Sequence, residues 1–105
     1  LLVVIDSNKI QGYGRTDDIV PLEQLADKLA ACRWAVLEID GHDHCQLHHA
    51  LAAVPFQAGA PSIIVANTIK GKGVSFMENQ VLWHYRSPSE PELAADLIHT
   101  IGARR

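Results

Sequence analysis

Short apolar runs alternate along this chain with stretches whose apolar residues recur every three or four positions. Leu1-Leu2-Val3-Val4-Ile5 is the first run, ended by Asp6. Five consecutive apolar residues predict a strand buried on both faces with a neighbour on each side, as in parallel sheets covered by helices. Ser7 to Val20 is polar and carries Gly12 and Gly14, which reads as a loop. Pro21 suits the first turn of a helix, and Leu22, Leu25, Ala26 and Leu29 give that helix one apolar face. Trp34 to Ile39 is the second strand, with Trp34 packing at its start. It closes on Asp40-Gly41-His42-Asp43, a tight turn whose Asp43 can cap the next helix. That helix carries Leu47, Ala50, Leu51 and Val54 on one side and stops before Pro55. Pro61 to Ala66 is the third strand. An irregular stretch follows to Pro88, and a final helix from about Glu90 turns Leu93, Leu97, Ile98 and Ile101 inward.

Strand and helix alternate throughout, which predicts an α/β fold: a three-layer architecture with a mostly parallel sheet flanked by helices. There is no repeat, low-complexity tract or linker, so the chain reads as one unit. In open parallel sheets ligands bind outside the carboxyl ends of the strands. Chemistry is therefore expected in three loops: Asp6 to Gly14, Asp40 to Asp43, and Thr68 to Tyr85.

Composition narrows the classes. Nine Lys and Arg against 12 Asp and Glu leave a mildly acidic chain with no basic stripe, so nucleic acid is not an expected partner. No apolar run reaches the length of a bilayer span, so a membrane is not expected either. Two cysteines, Cys32 and Cys45, make no disulfide framework, and a cytoplasmic protein is the default. Both lie in or beside helices without a base in view and read as packing residues. The chain opens mid-strand without a methionine, which leads us to expect that something precedes Leu1.

Two segments carry candidate chemistry. In Asp6-Ser7-Asn8-Lys9-Ile10-Gln11-Gly12-Tyr13-Gly14, Asn8 offers an amide oxygen and Ile10 a carbonyl, oxygen donors of the kind Mg²⁺ takes. Glycine lets the backbone approach a diphosphate closely. An ordinary strand-to-helix loop accounts for the same residues. Asp6 could orient Asn8 from behind. Thr68-Ile69-Lys70-Gly71-Lys72-Gly73 places two cations on flexible backbone after a strand, which suits an anion, although a solvated loop with surface lysines is equally open. Trp83 could wall a site or anchor its loop. His42, His44, Cys45, His48 and His49 invite a metal reading, but the two pairs spaced by four diverge around the helix, and a wet histidine-rich face accounts for them better.

These segments, with Val74-Ser75-Phe76-Met77-Glu78-Asn79 and Trp83-His84-Tyr85, resemble the thiamine diphosphate-binding domain of the transketolase family. Asn8 and Ile10 match the end of its motif, where the Asn side chain and the carbonyl two residues later ligate Mg²⁺. The Gly-Asp-Gly start of that motif would lie upstream of Leu1. Asp40-Gly41-His42-Asp43 resembles the family's second strand end. His84 matches a histidine near the diphosphate and the substrate, and the residue after it is commonly Gly, whereas here it is Tyr85. The resemblance implies that residues 1–105 are the C-terminal part of the diphosphate-side domain of a transketolase, with thiamine diphosphate and Mg²⁺ as cofactors. Asn8, Ile10, Gly12, Lys70 and His84 would face the cofactor, and His84 would also act in catalysis. The implied reaction is transfer of a two-carbon ketol unit between sugar phosphates. A complementary chain would supply the pyrimidine-binding domain, making this a split subunit of an oligomer. A deoxyxylulose-phosphate synthase-like or 2-oxoacid dehydrogenase-like enzyme is the alternative within the class. A truncated or degenerate paralogue serving as a non-catalytic assembly piece is the alternative outside it.

Overall fold

The apolar runs become three parallel strands, and the longest buried one lies in the middle. The computed structural model describes residues 1–102, apart from the side chains at 97 and 99–102. Strand β1 (Leu2–Ser7) leads through a small hairpin, β2 (Ile10–Gln11) and β3 (Gly14–Arg15), into a single helical turn, α1 (Thr16–Ile19). Helix α2 (Leu25–Ala31), strand β4 (Ala35–Asp40), helix α3 (His44–Ala52) and strand β5 (Ser62–Asn67) follow. A 3₁₀ turn (Val81–His84) and helix α4 (Glu90–Gly102) end the chain. The sheet order is β1-β5-β4, all parallel. No helix among the described residues is long and apolar enough to cross a membrane.

Right-handed crossovers put α2 and α3 on opposite faces of this sheet, because the first crossover skips a strand in one direction and the second returns by one. Side-chain alternation bears this out. Ile39, Ile64 and Ala66 share one face and pack with Ala50 and Leu47 of α3. Ile5, Val65 and Glu38 line the other face beside Leu25 of α2. β5 is buried from Ser62 to Ala66, with Ile64 fully so. The Ser62 hydroxyl accepts a hydrogen bond from the Phe56 N–H at 3.1 Å, so this buried polar group is satisfied.

The capping residue behaves as its sequence position predicts. The Asp43 carboxylate accepts from the N–H groups of Cys45 (2.8 Å) and Gln46 (3.1 Å), and the Gln46 amide adds a third bond at 2.9 Å. At the start of helix α4 the Ser89 N–H and hydroxyl both donate to the Glu92 carboxylate, which supplies the carboxylate half of a capping box.

Several expectations are corrected. Among the described residues β1 pairs with β5 alone and Val4 is exposed, so the second neighbour expected for this strand does not lie among them. The helix expected from Pro21 begins only at Leu25, because Gln24 adopts a left-handed conformation (φ 56°) that breaks the first turn. The loop after β1 contains a hairpin and a helical turn. Leu51, Leu93 and Ile98 are exposed, Ile98 at 74%, because no neighbouring element among the described residues covers those faces. The expected inward positions of Leu97 and Ile101 lie outside the described side chains. Cys32 and Cys45 are exposed and do not serve as packing residues.

This packing makes two predictions about stability. Ile64→Ala removes the most deeply buried side chain of the central strand and is expected to cost about 3 kcal/mol, measured by urea unfolding. Asp43 is held below its ordinary 3.8, first by the Gln46 N–H, then by the Gln46 side chain, the Cys45 N–H and the nearby His44. A depressed carboxyl stabilises the fold above its unfolded value, and that contribution fades as the pH falls through the folded value. Asp43→Asn keeps a capping oxygen without the charge. Its urea midpoint should trail wild type at about pH 6, and the gap should close below the ordinary carboxylate range.

Candidate functional site

The register of the sheet brings its three carboxyl ends level. Ser7 and Asp40 both lie opposite Asn67, so the loops leaving β1, β4 and β5 start side by side. An open cleft of about 460 Å³ lies there, lined by Asp6 and Asn8 from the first loop, His42 from the second, and Thr68 to Lys72 with Val74 and Met77 from the third.

The first loop is shaped by its own polar side chains. Lys9 takes a left-handed conformation (φ 65°). The Ile10 N–H donates to the Asn8 side-chain oxygen at 2.9 Å, an Asx turn. The Asn8 amide nitrogen reaches Asp6 at 3.4 Å, and the Thr68 hydroxyl also donates to Asp6. One end of the Asn8 amide thus faces the carboxylate, and its oxygen keeps a lone pair beyond the one used by Ile10. Lys9 ties the same loop to the third strand end, with its ammonium on Ser7 (2.7 Å) and Asn67 (3.0 Å). The Ile10 side chain is 5% exposed, which anchors the backbone that carries its carbonyl.

The third loop is bent at Gly71 (φ 73°), where a Cβ would stand 2.6 Å from the Met77 carbonyl oxygen, so only glycine fits. The Asn79 N–H donates to the Lys70 carbonyl at 3.0 Å and closes this bend. Farther along, Trp83 serves as the loop's anchor. Its ring meets Phe76 edge-on at 5.2 Å, its N–H donates to the Phe76 carbonyl, and Arg86 stacks 4.6 Å above it. The buried Asp96 of α4 holds the loop from the other side, accepting from the Ser75 N–H (3.0 Å) and hydroxyl (2.7 Å).

The structure therefore brings Asn8 and Lys70 into one cleft. Ile10 sits just behind it, lining an adjoining hollow of about 500 Å³ on the α2 side. Gly12 and His84 lie elsewhere: the Tyr85 hydroxyl donates to the Gly12 carbonyl and draws the end of the 3₁₀ turn against the first loop. His84 is exposed there and does not line the Lys70 cleft. Asp6 touches Asn8 as its position at the strand end suggested. Sequence reasoning treated Asp40 to Asp43 as structural and missed that His42 lines the cleft. The signal that could have found it was its place at a strand's carboxyl end, level with the other two loops. His44, Cys45, His48 and His49 are exposed on α3, and among the described residues no three His, Cys, Asp or Glu side chains converge as a metal cage.

Chemically, the cleft combines oxygen donors on one wall with cationic and amide groups on the other. The Asn8 amide oxygen and the Ile10 carbonyl belong to the hard-ligand class that Mg²⁺ prefers. Lys70 and Lys72 on a glycine-bent backbone suit the phosphate oxygens of the same ligand. The residues present fit a metal-bound diphosphate.

Comparison with known proteins agrees with this geometry. Residues 1–100 match the family described as transketolase, thiamine diphosphate binding domain. An apulose-4-phosphate transketolase subunit from Phocaeicola vulgatus is 33% identical over 89 residues, covering 85% of this chain and 32% of that protein. The 6-deoxy-6-sulfo-D-fructose transketolase subunit SqwG of Clostridium sp. (strain MSTE9) is 44% identical over 84 residues, 80% of this chain and 30% of that protein. The crystal structure of transketolase from Campylobacter jejuni superposes with a TM-score of 0.70 at 27% identity, covering 77% of this chain and 12% of that one. The chain thus spans about a third of the length of the transketolase subunits it matches. Since the match takes in all three strand ends and the loops that leave them, the chain belongs to the transketolase family, in its thiamine diphosphate binding domain.

Proposed function

We propose that this chain is part of a thiamine diphosphate-dependent transketolase that moves a two-carbon ketol unit between sugar phosphates, and that it helps hold the Mg²⁺–diphosphate end of the cofactor. The observation that carries this reading is the Asn8 amide, set by Asp6 on one end and by the Ile10 N–H on the other, at the rim of a cleft that also holds Lys70. Asn8 would give Mg²⁺ its side-chain oxygen and Ile10 its carbonyl. The remaining carboxylate ligand would come from outside these residues, since no Gly-Asp-Gly occurs among them. Lys70 would balance diphosphate charge, and Gly12 would allow close approach of the backbone.

Bound thiamine diphosphate supplies the carbon nucleophile and electron sink that no amino-acid side chain offers. What this chain contributes is binding, orientation and charge balance. His84 is the residue for proton handling or hydrogen bonding near the substrate, as a histidine can donate or accept around neutral pH. Relatives named as transketolase subunits support a split enzyme, in which a complementary chain carries the pyrimidine-binding domain and the active unit is an oligomer. A cytoplasmic location accords with sugar-phosphate substrates.

Asn8→Ala is expected to weaken thiamine diphosphate binding in the presence of Mg²⁺ by roughly 100-fold or more, since loss of a group that only orients a metal ligand already costs about 10- to 100-fold. Isothermal titration of the assembled protein measures this, and unchanged affinity would remove Asn8 from the metal site. Assays of the assembled enzyme with ketose phosphate donors and with pyruvate test the reaction. Ketol transfer from the ketose phosphate is expected, and turnover of pyruvate alone would move the chain to the synthase-like or dehydrogenase-like branch.

A further inference from the structure

The turn between β4 and α3 is tied to the third strand end by more than packing. The Gly41 N–H donates to the Asn67 carbonyl at 2.8 Å, and a Cβ at Gly41 would run into the Thr68 side chain. The His42 N–H donates to its neighbour Asp40 at 2.9 Å, which sets the direction in which the chain leaves the turn. Across the gap, the Ile69 N–H donates to the His42 Nε2 at 2.8 Å. Ile69 lies two residues past the end of β5. Neither neighbouring strand extends far enough to accept its N–H in the ladder.

The bond decides two things. An imidazole that accepts at Nε2 carries its proton on Nδ1, so His42 acts here as a neutral acceptor in a single tautomer. It also fixes the peptide immediately before Lys70. On the other side the Asn79 N–H holds the Lys70 carbonyl at 3.0 Å, and the chain then turns sharply at Gly71. Lys70 therefore hangs between two backbone clamps, one of which is a side chain from a different loop.

We infer that His42 is a positioning residue: by accepting the Ile69 N–H it sets the Lys70-Gly71-Lys72 segment against the strand-end cleft. The consequence for cofactor affinity rests on the proposed thiamine diphosphate site; the clamp itself does not. A residue that acts this way can be replaced by another acceptor of similar reach but not by a ring without one. Gln offers a side-chain oxygen at the same branch depth as Nε2, whereas Phe keeps the flat ring and loses the acceptor.

The test compares His42→Gln and His42→Phe with wild type in the complete protein. Amide hydrogen exchange at Ile69 is followed without cofactor, and thiamine diphosphate with Mg²⁺ is then titrated. His42→Phe should speed exchange at Ile69 about tenfold, the scale of one lost hydrogen bond. It should also weaken cofactor binding about tenfold, as loss of an orienting group behind a ligand does. His42→Gln should restore both. Exchange at Ile69 that is equal in wild type and His42→Phe overturns the inference, as does a His42→Gln protein no better than His42→Phe. Wild type that takes up no cofactor, with the exchange pattern as expected, rejects the thiamine diphosphate reading and leaves the clamp supported. Wild type and both variants binding cofactor alike, despite altered exchange, rejects the positioning of Lys70 and leaves that reading intact.

Discussion

The pairing of β5 with both of its neighbours is the constraint from which the site descends. A parallel ladder has evenly spaced bonds and one register that satisfies them, and burial of β5 on both faces makes a slip expensive, since it would turn every side chain to the wrong layer. Ser62 to Ala66 fill that central position, and Asn67 ends it opposite both Ser7 and Asp40. Three loops from distant parts of the chain therefore begin level with one another, the outer two each one strand spacing from the central one. Without that register, Asn8 and Lys70 would be two polar loops with no reason to face the same space.

Beyond the last ladder bond, polar side chains take over the connections between the strand ends. Lys9 spans from its own loop to Asn67, Thr68 donates to Asp6, and Ile69 donates to His42. Each bond joins the third strand end to one of the other two loops. The net worth of one such bond is modest, because water competes for the same groups. Their value lies in orientation: an amide or ammonium that has one partner fixed can present its remaining valence in only a few directions. A site for a metal-bound diphosphate needs that directional control more than it needs binding energy from any single contact.

The three strands of the parallel sheet were legible to within two residues, because each is an apolar run closed by a turn residue, and the helix cap at Asp43 was legible for the same local reason. What the sequence could not disclose depends on partners far along the chain. Ile98 has helical periodicity yet no surface among the described residues to bury against. The start of α2 failed locally, since Pro21 is a favourable first-turn residue and only the backbone at Gln24 shows why the helix waits. At the site, Asn8 and Lys70 could be named from residue type and position. The place of His42 at a strand's carboxyl end was legible too, but its hydrogen bond to a backbone group 27 residues away was not.

Tyr85 stands where the sequence resemblance leads one to expect glycine, and a bulky ring there must go somewhere. In this chain the hydroxyl finds the Gly12 carbonyl, and Gly12 tolerates the approach because a Cβ there would already stand 3.1 Å from the phenol oxygen. The contact joins the glycine-bearing first loop to the turn that ends in His84, a connection that a glycine at 85 has no side chain to make. The position of His84 relative to the first loop therefore depends on a residue pair, Gly12 and Tyr85, and a change at either should be read with the other in view.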